Sequence, residues 1–149
     1  MLKNIPALLS PRLLETLCEM GHGDEIVIAD GNFPAASIAR KTVSQKLIRY
    51  DGHGCPEILE AILKVFPLDP YVEASVGLMQ VIPGDDVETP IWEEYRKIIK
   101  NSGETFSDFE MIERFTFYQR AENAYAVIAT SESALYANII LKKGVVTGQ

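Results

Sequence analysis

Apolar residues recur along the chain at two spacings, which predict a succession of helices and strands. A first helix is predicted at Ser10-Pro11, because serine caps free backbone N–H groups and proline suits a first helical turn. Its apolar residues at helical spacing are Leu13, Leu14, Leu17 and Met20. Gly21 favours a left-handed helix end, so this short amphipathic helix is expected to stop just before His22.

Strands and further helices are predicted to alternate over the rest of the chain. Stretches with strand composition cover residues 25–30, 46–50, 71–82, 125–130 and 135–141. Helices are predicted over residues 56–67, 89–103 and 110–124, the last with Met111, Phe115 and Tyr118, and with Phe109 just before it, on one side. Several strands are nearly continuous Val, Ile and Ala, which is typical of a sheet covered on both faces. We therefore predict an α/β fold, a three-layer α/β/α sandwich, with residues 1–149 forming one domain.

Charge and hydropathy exclude several classes of function. The chain has 149 residues with 14 Lys+Arg against 21 Asp+Glu, a net charge of −7, and its basic residues form no cluster. Binding to nucleic acid or to an anionic membrane surface is therefore not expected. No apolar run approaches the roughly 20 residues of a membrane-spanning helix, and Pro6 interrupts the first apolar stretch of the N-terminus. We expect a soluble, cytoplasmic protein.

The cysteines, histidines and glycines point away from a metal or a nucleotide. Cys18 and Cys55 fit neither a disulfide framework nor a metal-ligand spacing, and two histidines are too few for a His-rich metal site. The chain also lacks a glycine-rich phosphate loop, a Gly-x-Ser-x-Gly elbow and a dinucleotide fingerprint. We expect any chemistry here to need no cofactor and no metal.

His22 is the first candidate for chemistry. It stands between Gly21 and Gly23, where the backbone can approach a ligand closely, and an imidazole can carry a proton near neutral pH. Its neighbour Asp24 either orients the imidazole or caps the turn. The alternative for His22 is an exposed turn histidine without a function. His53 lies between glycines too, but its place beside a helix start favours a plain loop residue.

A second group of candidates lies at the predicted strand ends, where α/β proteins commonly bind ligands. Asp30 ends the first strand; it either meets a ligand or bonds its own turn. Asn138 follows Tyr136 and Ala137 in the last predicted strand, where asparagine is disfavoured unless its amide has hydrogen-bond partners. Those partners are either the hydroxyls of a polyhydroxylated ligand or backbone groups in a cross-strand contact or a bulge. The planar guanidinium of Arg114 either donates several hydrogen bonds to ligand hydroxyls or forms an ion pair with Glu110.

These residues stand in motifs that resemble the L-fucose mutarotase and D-ribose pyranase family. The motifs are Glu19-Met-Gly-His-Gly-Asp24, Ile26-Val-Ile-Ala-Asp30, Asn32-Phe-Pro34, Arg114-Phe-Thr-Phe-Tyr118-Gln-Arg120-Ala and Tyr136-Ala-Asn138-Ile-Ile-Leu-Lys-Lys-Gly144. The resemblance covers nearly the whole chain. It implies an enzyme that interconverts forms of a free sugar, without a cofactor, in a ring-shaped homo-oligomer (an octamer or decamer) with sites near subunit interfaces.

The resemblance also assigns roles to the candidate residues. It implies that His22 is the catalytic acid, that Asp30 and Arg114 contact the sugar, and that the segment Tyr136-Ala137-Asn138 closes around it. Arg114 and the Asn32-Phe33-Pro34 stretch are more similar to the fucose branch than to the ribose branch, so L-fucose is the expected sugar. Many fucose members have histidine where this chain has Asn32, and often another at Ala36, so the resemblance predicts the reaction type more firmly than the sugar. The alternatives are a D-ribose pyranase and a non-catalytic monosaccharide-binding protein.

Overall fold

The computed structural model describes residues 1–148, which are built around a six-stranded sheet. The strands are β1 (Glu25–Ala29), β2 (Lys46–Tyr50), β3 (Val76–Met79), β4 (Glu110–Ile112), β5 (Ala126–Thr130) and β6 (Ile139–Lys142). They lie in the order β2-β5-β1-β6-β3-β4. Strand β6 is antiparallel to β1 and β3, whereas the other pairings between these six strands are parallel. The start of β6 therefore lies at the same edge of the sheet as the carboxyl ends of the other strands.

Helices cover both faces of this sheet. They are α1 (Pro11–Glu19), α2 (Ala35–Ala39), α3 (Cys55–Ile62), α4 (Pro90–Ser102) and α5 (Arg114–Glu122). Side chains of α1, α3 and α4 pack with Ile26 and Ile28 of β1, and those of α2 and α5 pack with Val27 and Ala29, because successive strand residues point to opposite faces. The predicted three-layer α/β/α sandwich is confirmed. None of the helices within residues 1–148 has the length and apolar character needed to cross a membrane.

The first helix begins as predicted and ends differently. The Ser10 side chain accepts a hydrogen bond from the Leu13 N–H at 3.2 Å, and Pro11 occupies the first turn. The helix ends at Glu19 with Met20 in an extended conformation (φ −62°, ψ 135°), not through a left-handed Gly21. The Lys143 ammonium group donates to the carbonyls of Leu17 and Met20. A cation thus satisfies the free carbonyl groups of this helix end, where a left-handed glycine was expected.

Two strand predictions were too long. The stretch predicted over residues 71–82 pairs with its neighbours only from Val76 to Met79, because the chain first turns around Asp69, whose carboxylate accepts the Tyr71 N–H at 3.0 Å. The last strand begins at Ile139, so residues 136–138 precede it. The predicted strand position of Tyr136 and Asn138 is therefore wrong.

The predicted helix over residues 110–124 contains two elements. Glu110–Ile112 forms the edge strand β4, and α5 begins at Arg114 after Glu113, whose carboxylate caps the Thr116 N–H at 3.0 Å. The prediction that Met111 and Phe115 share one side of a helix is wrong, because Met111 lies in β4. They are 42% and 65% exposed, and Phe117 is the buried aromatic residue of the helix. Helix α2, over residues 35–39, was not predicted, because five residues are too short to show helical periodicity.

Candidate functional site

A cavity of about 310 Å³ opens at the edge where β1, β3 and β4 end and β6 begins. We call this the cavity edge. Its charged and amide side chains are Asp30, Asn32, Asp85, Arg114 and Asn138. Its apolar and aromatic side chains are Phe33, Met79, Ile82, Tyr118, Leu135 and Tyr136. The volume lies at the lower end of the range for small-molecule sites, and a mixed lining of this kind suits a small polyhydroxylated ligand.

Asp30 and Asn138 form the buried floor of the cavity. The Asn138 Oδ1 accepts the Asp30 backbone N–H at 2.8 Å, and the Asp30 Oδ1 accepts the Asn32 N–H at 3.0 Å. Both residues are buried: Asp30 is 6% exposed and Asn138 is 5% exposed. Asn138 uses its oxygen within the protein, so its NH₂ group is the donor it can offer to a ligand. The amide is thus used, as the sequence suggested, although not within a strand.

The Asp30 carboxyl is poised to hold a proton more tightly than an ordinary aspartate. Burial raises its pKa above the usual 3.8, and the N–H groups of Asn32, Phe33 and Ala137, which favour the carboxylate, offset this only in part. The negative charge of Glu132 raises the pKa of Asp30 further. A carboxyl group with this balance can both accept a ligand hydrogen bond and exchange a proton.

Tyr136 and Ala137 have different positions in the wall of the cavity. Tyr136 has a left-handed backbone, with φ of 55°, and its hydroxyl donates to Asp85 Oδ2 at 2.6 Å. This charged partner raises the pKa of the Tyr136 hydroxyl. Ala137 is fully buried behind the wall, where its carbonyl accepts the Tyr95 hydroxyl at 2.6 Å. Of these two residues, Tyr136 lines the cavity and Ala137 supports it.

Arg114 reaches the cavity from the first position of α5. Its guanidinium lies over the Phe115 and Tyr118 rings at 5.5 and 5.6 Å, and its Nε donates to the Tyr118 hydroxyl at 3.4 Å. The alternative of an ion pair with Glu110 is wrong, because Glu110 binds Arg120 at 2.5 Å. The charged end of Arg114 is exposed and held beside aromatic faces, an arrangement suited to ligand hydroxyls.

His22 lies at the opposite edge of the sheet. It precedes β1 while Asp30 follows it, and five strand residues at roughly 3.3 Å each separate the two by about 17 Å. We call this the His22 edge. The structure thus brings together Asp30, Arg114, Tyr136 and Asn138, and leaves His22 outside the cavity of its own chain.

Asp69, which the sequence did not single out, holds the His22 ring. Its Oδ1 lies 3.1 Å from His22 Nε2, and the Tyr71 ring packs on the imidazole at a centroid distance of 5.6 Å. Burial of Asp69 raises its pKa, but the Tyr71 N–H, the His22 ring and Lys142 outweigh burial and leave the pKa below its ordinary value. Asp24 instead caps the turn by accepting the Gly21 N–H at 2.7 Å. The imidazole, 47% exposed, is oriented by an ionised carboxylate.

The Lys142-Lys143-Gly144 tail ties the two loops of the His22 edge together. The carbonyl of Lys143 accepts the Gly23 N–H at 2.8 Å, and that of Lys142 accepts the Asp69 N–H at 3.1 Å. Gly144 donates its own N–H to Pro67 at 2.8 Å. The tail therefore places His22 and Asp69 beside each other, which gives a structural reason for this part of the motif.

Gly144→Ala is expected to destabilise the protein. An alanine Cβ would lie 2.4 Å from the Leu68 carbonyl oxygen and 2.9 Å from the Asp69 Cα, so backbone must move. Such overpacking costs about 1–3 kcal/mol, measured as a lower free energy of unfolding in urea. The control Gly21→Ala, whose Cβ would be 3.8 Å from the nearest atom, should change it by less than about 0.5 kcal/mol. Equal free energies of unfolding for the two variants would contradict the close packing of backbone against Gly144.

The fold and the cavity together define an α/β protein with one small polar site at the carboxyl edge of its sheet. Residues 3–146 match the model of the RbsD / FucU transport protein family. The match covers nearly the whole chain, and the protein belongs to that family. The resemblance seen in the sequence motifs is thereby confirmed.

Relatives and solved structures agree over almost the full length. A human protein named fucose mutarotase (Homo sapiens) is 52% identical over 147 residues, which are 97% of this chain and 94% of the relative. The crystal structure of the fucose mutarotase in complex with L-fucose from Streptococcus pneumoniae is 51% identical, with a TM-score of 0.89 over 98% of this chain and all (100%) of that one. FucU from Bifidobacterium longum is 56% identical, with a TM-score of 0.92 over 97% and 100% of the two chains.

Proposed function

We propose that this protein is an isomerase that interconverts the α and β anomers of L-fucose. The observation that carries the proposal is the similarity, over nearly the whole chain, to a fucose mutarotase whose crystal structure contains L-fucose. The cavity supports it, because Asp30, Arg114 and Asn138 supply acceptors and donors for sugar hydroxyls. Phe33 and Tyr118, whose rings lie 5.6 Å apart, offer an aromatic surface for the apolar face of the ring.

The reaction asks only for proton transfers. Opening a cyclic hemiacetal requires a proton on the ring oxygen while another leaves the anomeric hydroxyl, and reclosure on the other carbonyl face reverses both transfers. One acid, one base and hydrogen bonds that hold the ring can therefore accelerate it. Imidazole and carboxyl groups are suited to these roles near neutral pH.

We assign the acid role to His22 and sugar binding to Asp30, Arg114, Tyr136 and Asn138. Asp69 supports the assignment of His22, because a carboxylate oxygen 3.1 Å from Nε2 orients the imidazole. Asp30, whose pKa is raised by burial, either accepts the anomeric proton or holds a hydroxyl. These two roles differ in their effect on kcat and KM.

We further propose that His22 of a second copy completes the cavity. Within one chain the five residues of β1, about 17 Å in length, separate His22 from Asp30, which is too far for both to touch one sugar. The rim of the cavity exposes apolar Ile82 and Leu135, at 42% and 51%, and the His22 edge exposes Tyr71 at 73%. A contact between different edges is heterologous, and its repetition forms a ring where the rotation between neighbouring copies closes. The proposed assembly is a ring-shaped homo-oligomer, an octamer or decamer, whose mass light scattering would measure.

We also propose that the enzyme works in the cytoplasm. Cys18 and Cys55 are both free thiols, and Cys18 is exposed. A reducing compartment keeps exposed thiols in this form.

Saturation-transfer NMR on a panel of sugars tests the proposed activity. One anomer signal of L-fucose is saturated, and the loss of the other signal gives the exchange rate with and without the protein. We expect faster exchange for L-fucose than for D-ribose. Preferential acceleration of pyranose–furanose exchange in ribose would favour a pyranase, and saturable sugar binding without acceleration would indicate a binding protein; either result would overturn the proposal.

A further inference from the structure

Helix α4 contacts the wall of the cavity from behind. Trp92 and Tyr95, three residues apart on this helix, donate hydrogen bonds to consecutive backbone carbonyls. The Trp92 Nε1 donates to the Tyr136 carbonyl at 2.8 Å, and the Tyr95 hydroxyl donates to the Ala137 carbonyl at 2.6 Å. We call residues 136–138 the cavity segment, since Tyr136 and Asn138 line the cavity.

The cavity segment has a conformation that needs support from its surroundings. Tyr136 has φ of 55°, a left-handed backbone that costs a non-glycine residue about 1–3 kcal/mol and persists only where contacts enforce it. The segment precedes β6, so the hydrogen-bonded register of the sheet does not include it. Neither the intrinsic backbone preference of these residues nor pairing in the sheet fixes the conformation of the cavity segment. The hydrogen bonds from α4 therefore hold it in place.

The Tyr95 hydroxyl is unusual in its position. Tyr95 is fully buried among apolar residues such as Ile91 and Ile99 of the same helix. A hydroxyl in such a place is costly unless it is hydrogen-bonded, and phenylalanine would fill the same space without that cost. What tyrosine adds is the bond to Ala137 and a contact of its hydroxyl with the buried Cys55 thiol; only the first of these reaches the cavity segment.

We propose that Tyr95 and Trp92 are positioning residues for sugar binding, which act by holding the cavity segment. Neither residue lines the cavity. They fix the backbone from which the Tyr136 hydroxyl and the Asn138 amide project, and the Asn138 amide in turn holds the Asp30 N–H at 2.8 Å. The inference rests on the proposed function, because it takes the cavity to be the sugar site.

The test compares Tyr95→Phe with Tyr50→Phe. Tyr50 is a matched control at 6% exposure, whose hydroxyl donates to the Leu8 carbonyl at 2.8 Å and accepts the Ser10 N–H at 2.9 Å, away from the cavity lining. Exchange rates are measured against L-fucose concentration for the wild type and both variants. We expect both to lower the stability, and only Tyr95→Phe to raise KM, by about three- to ten-fold with a smaller change in kcat.

Trp92→Phe provides a second, independent variant and should raise KM in the same direction. An unchanged KM in both α4 variants, or an equal rise in Tyr50→Phe, would overturn the inference. The side-chain NH₂ signals of Asn138 in ¹H–¹⁵N spectra give a readout that does not depend on activity: they should shift in Tyr95→Phe and stay in place in Tyr50→Phe. A wild type without exchange would refute the proposed function, while unmoved Asn138 signals would refute the positioning role.

Discussion

Replacing His22 with alanine is expected to slow the exchange of L-fucose anomers by about 10²–10⁴-fold, the usual contribution of a general acid. The fold should persist, because the imidazole is 47% exposed and its contacts are with Asp69 and Tyr71. His22→Gln sharpens the result, since an amide can still donate to Asp69 but cannot deliver a proton. Both variants should lose activity, and sugar binding by titration should weaken much less than the rate.

His53 is the matched control for this experiment. It too stands between two glycines, its ring nitrogen lies 3.0 Å from the Glu57 carboxylate, and it is 42% exposed. It does not line the cavity. His53→Ala should therefore exchange fucose at the wild-type rate. Full activity in His22→Ala, or an equal loss in His53→Ala, would contradict the role of His22.

Asp30→Asn is expected to lower activity about 10²-fold while leaving the protein at least as stable as the wild type at neutral pH. Burial raises the pKa of Asp30 above 3.8, so ionisation of this carboxyl lowers the free energy of unfolding. The penalty is absent below the unfolded-state pKa, grows as the pH rises through the folded-state pKa, and is complete above it. The stability advantage of the variant should follow the same course in urea unfolding at a series of pH values.

The kinetic form of the Asp30→Asn defect separates the two roles of the carboxyl. A fall in kcat with KM preserved would identify Asp30 as the proton acceptor, and a rise in KM with kcat preserved would identify it as a hydroxyl-binding group. Wild-type exchange rates in this variant would exclude both roles. A variant that is less stable than the wild type at neutral pH would contradict the cost of burying the charge.

The central strands and the longer helices could be predicted because their signals are local. Strands β1, β2 and β5 are short apolar or alternating runs closed by turn residues, and α1 and α4 carry a proline in the first turn. The family was predicted from motifs and is confirmed by the match over residues 3–146.

The parts that could not be predicted depend on contacts between distant segments. The three residues of β4 are a strand only because β3 lies beside them, and their pattern merges with that of the following helix. The sequence does not predict the left-handed backbone of Tyr136, whose carbonyl accepts a hydrogen bond from Trp92 of α4, more than forty residues earlier in the chain. Asp69 has no periodic signal, and its contact with His22 spans 47 residues.

The candidate site shows the same limit. Asp30, Arg114 and Asn138 come from three separate strand ends and meet because β6 is antiparallel, a topology that the sequence did not reveal. His22 was linked to them through the family resemblance alone. The sheet puts it at the opposite edge, so its proposed role requires an arrangement of copies that no single chain can display.

Fucose exchange by mixed oligomers of His22→Ala and Asp30→Asn chains tests this account most directly. The two variants, differently tagged and co-expressed, are each expected to be nearly inactive alone. In a mixed ring, an Asp30 from one copy and a His22 from the next meet at about a quarter of the heterologous interfaces, so about a quarter of the wild-type activity should return. Mixed oligomers as inactive as the separate variants would contradict a site shared between two copies.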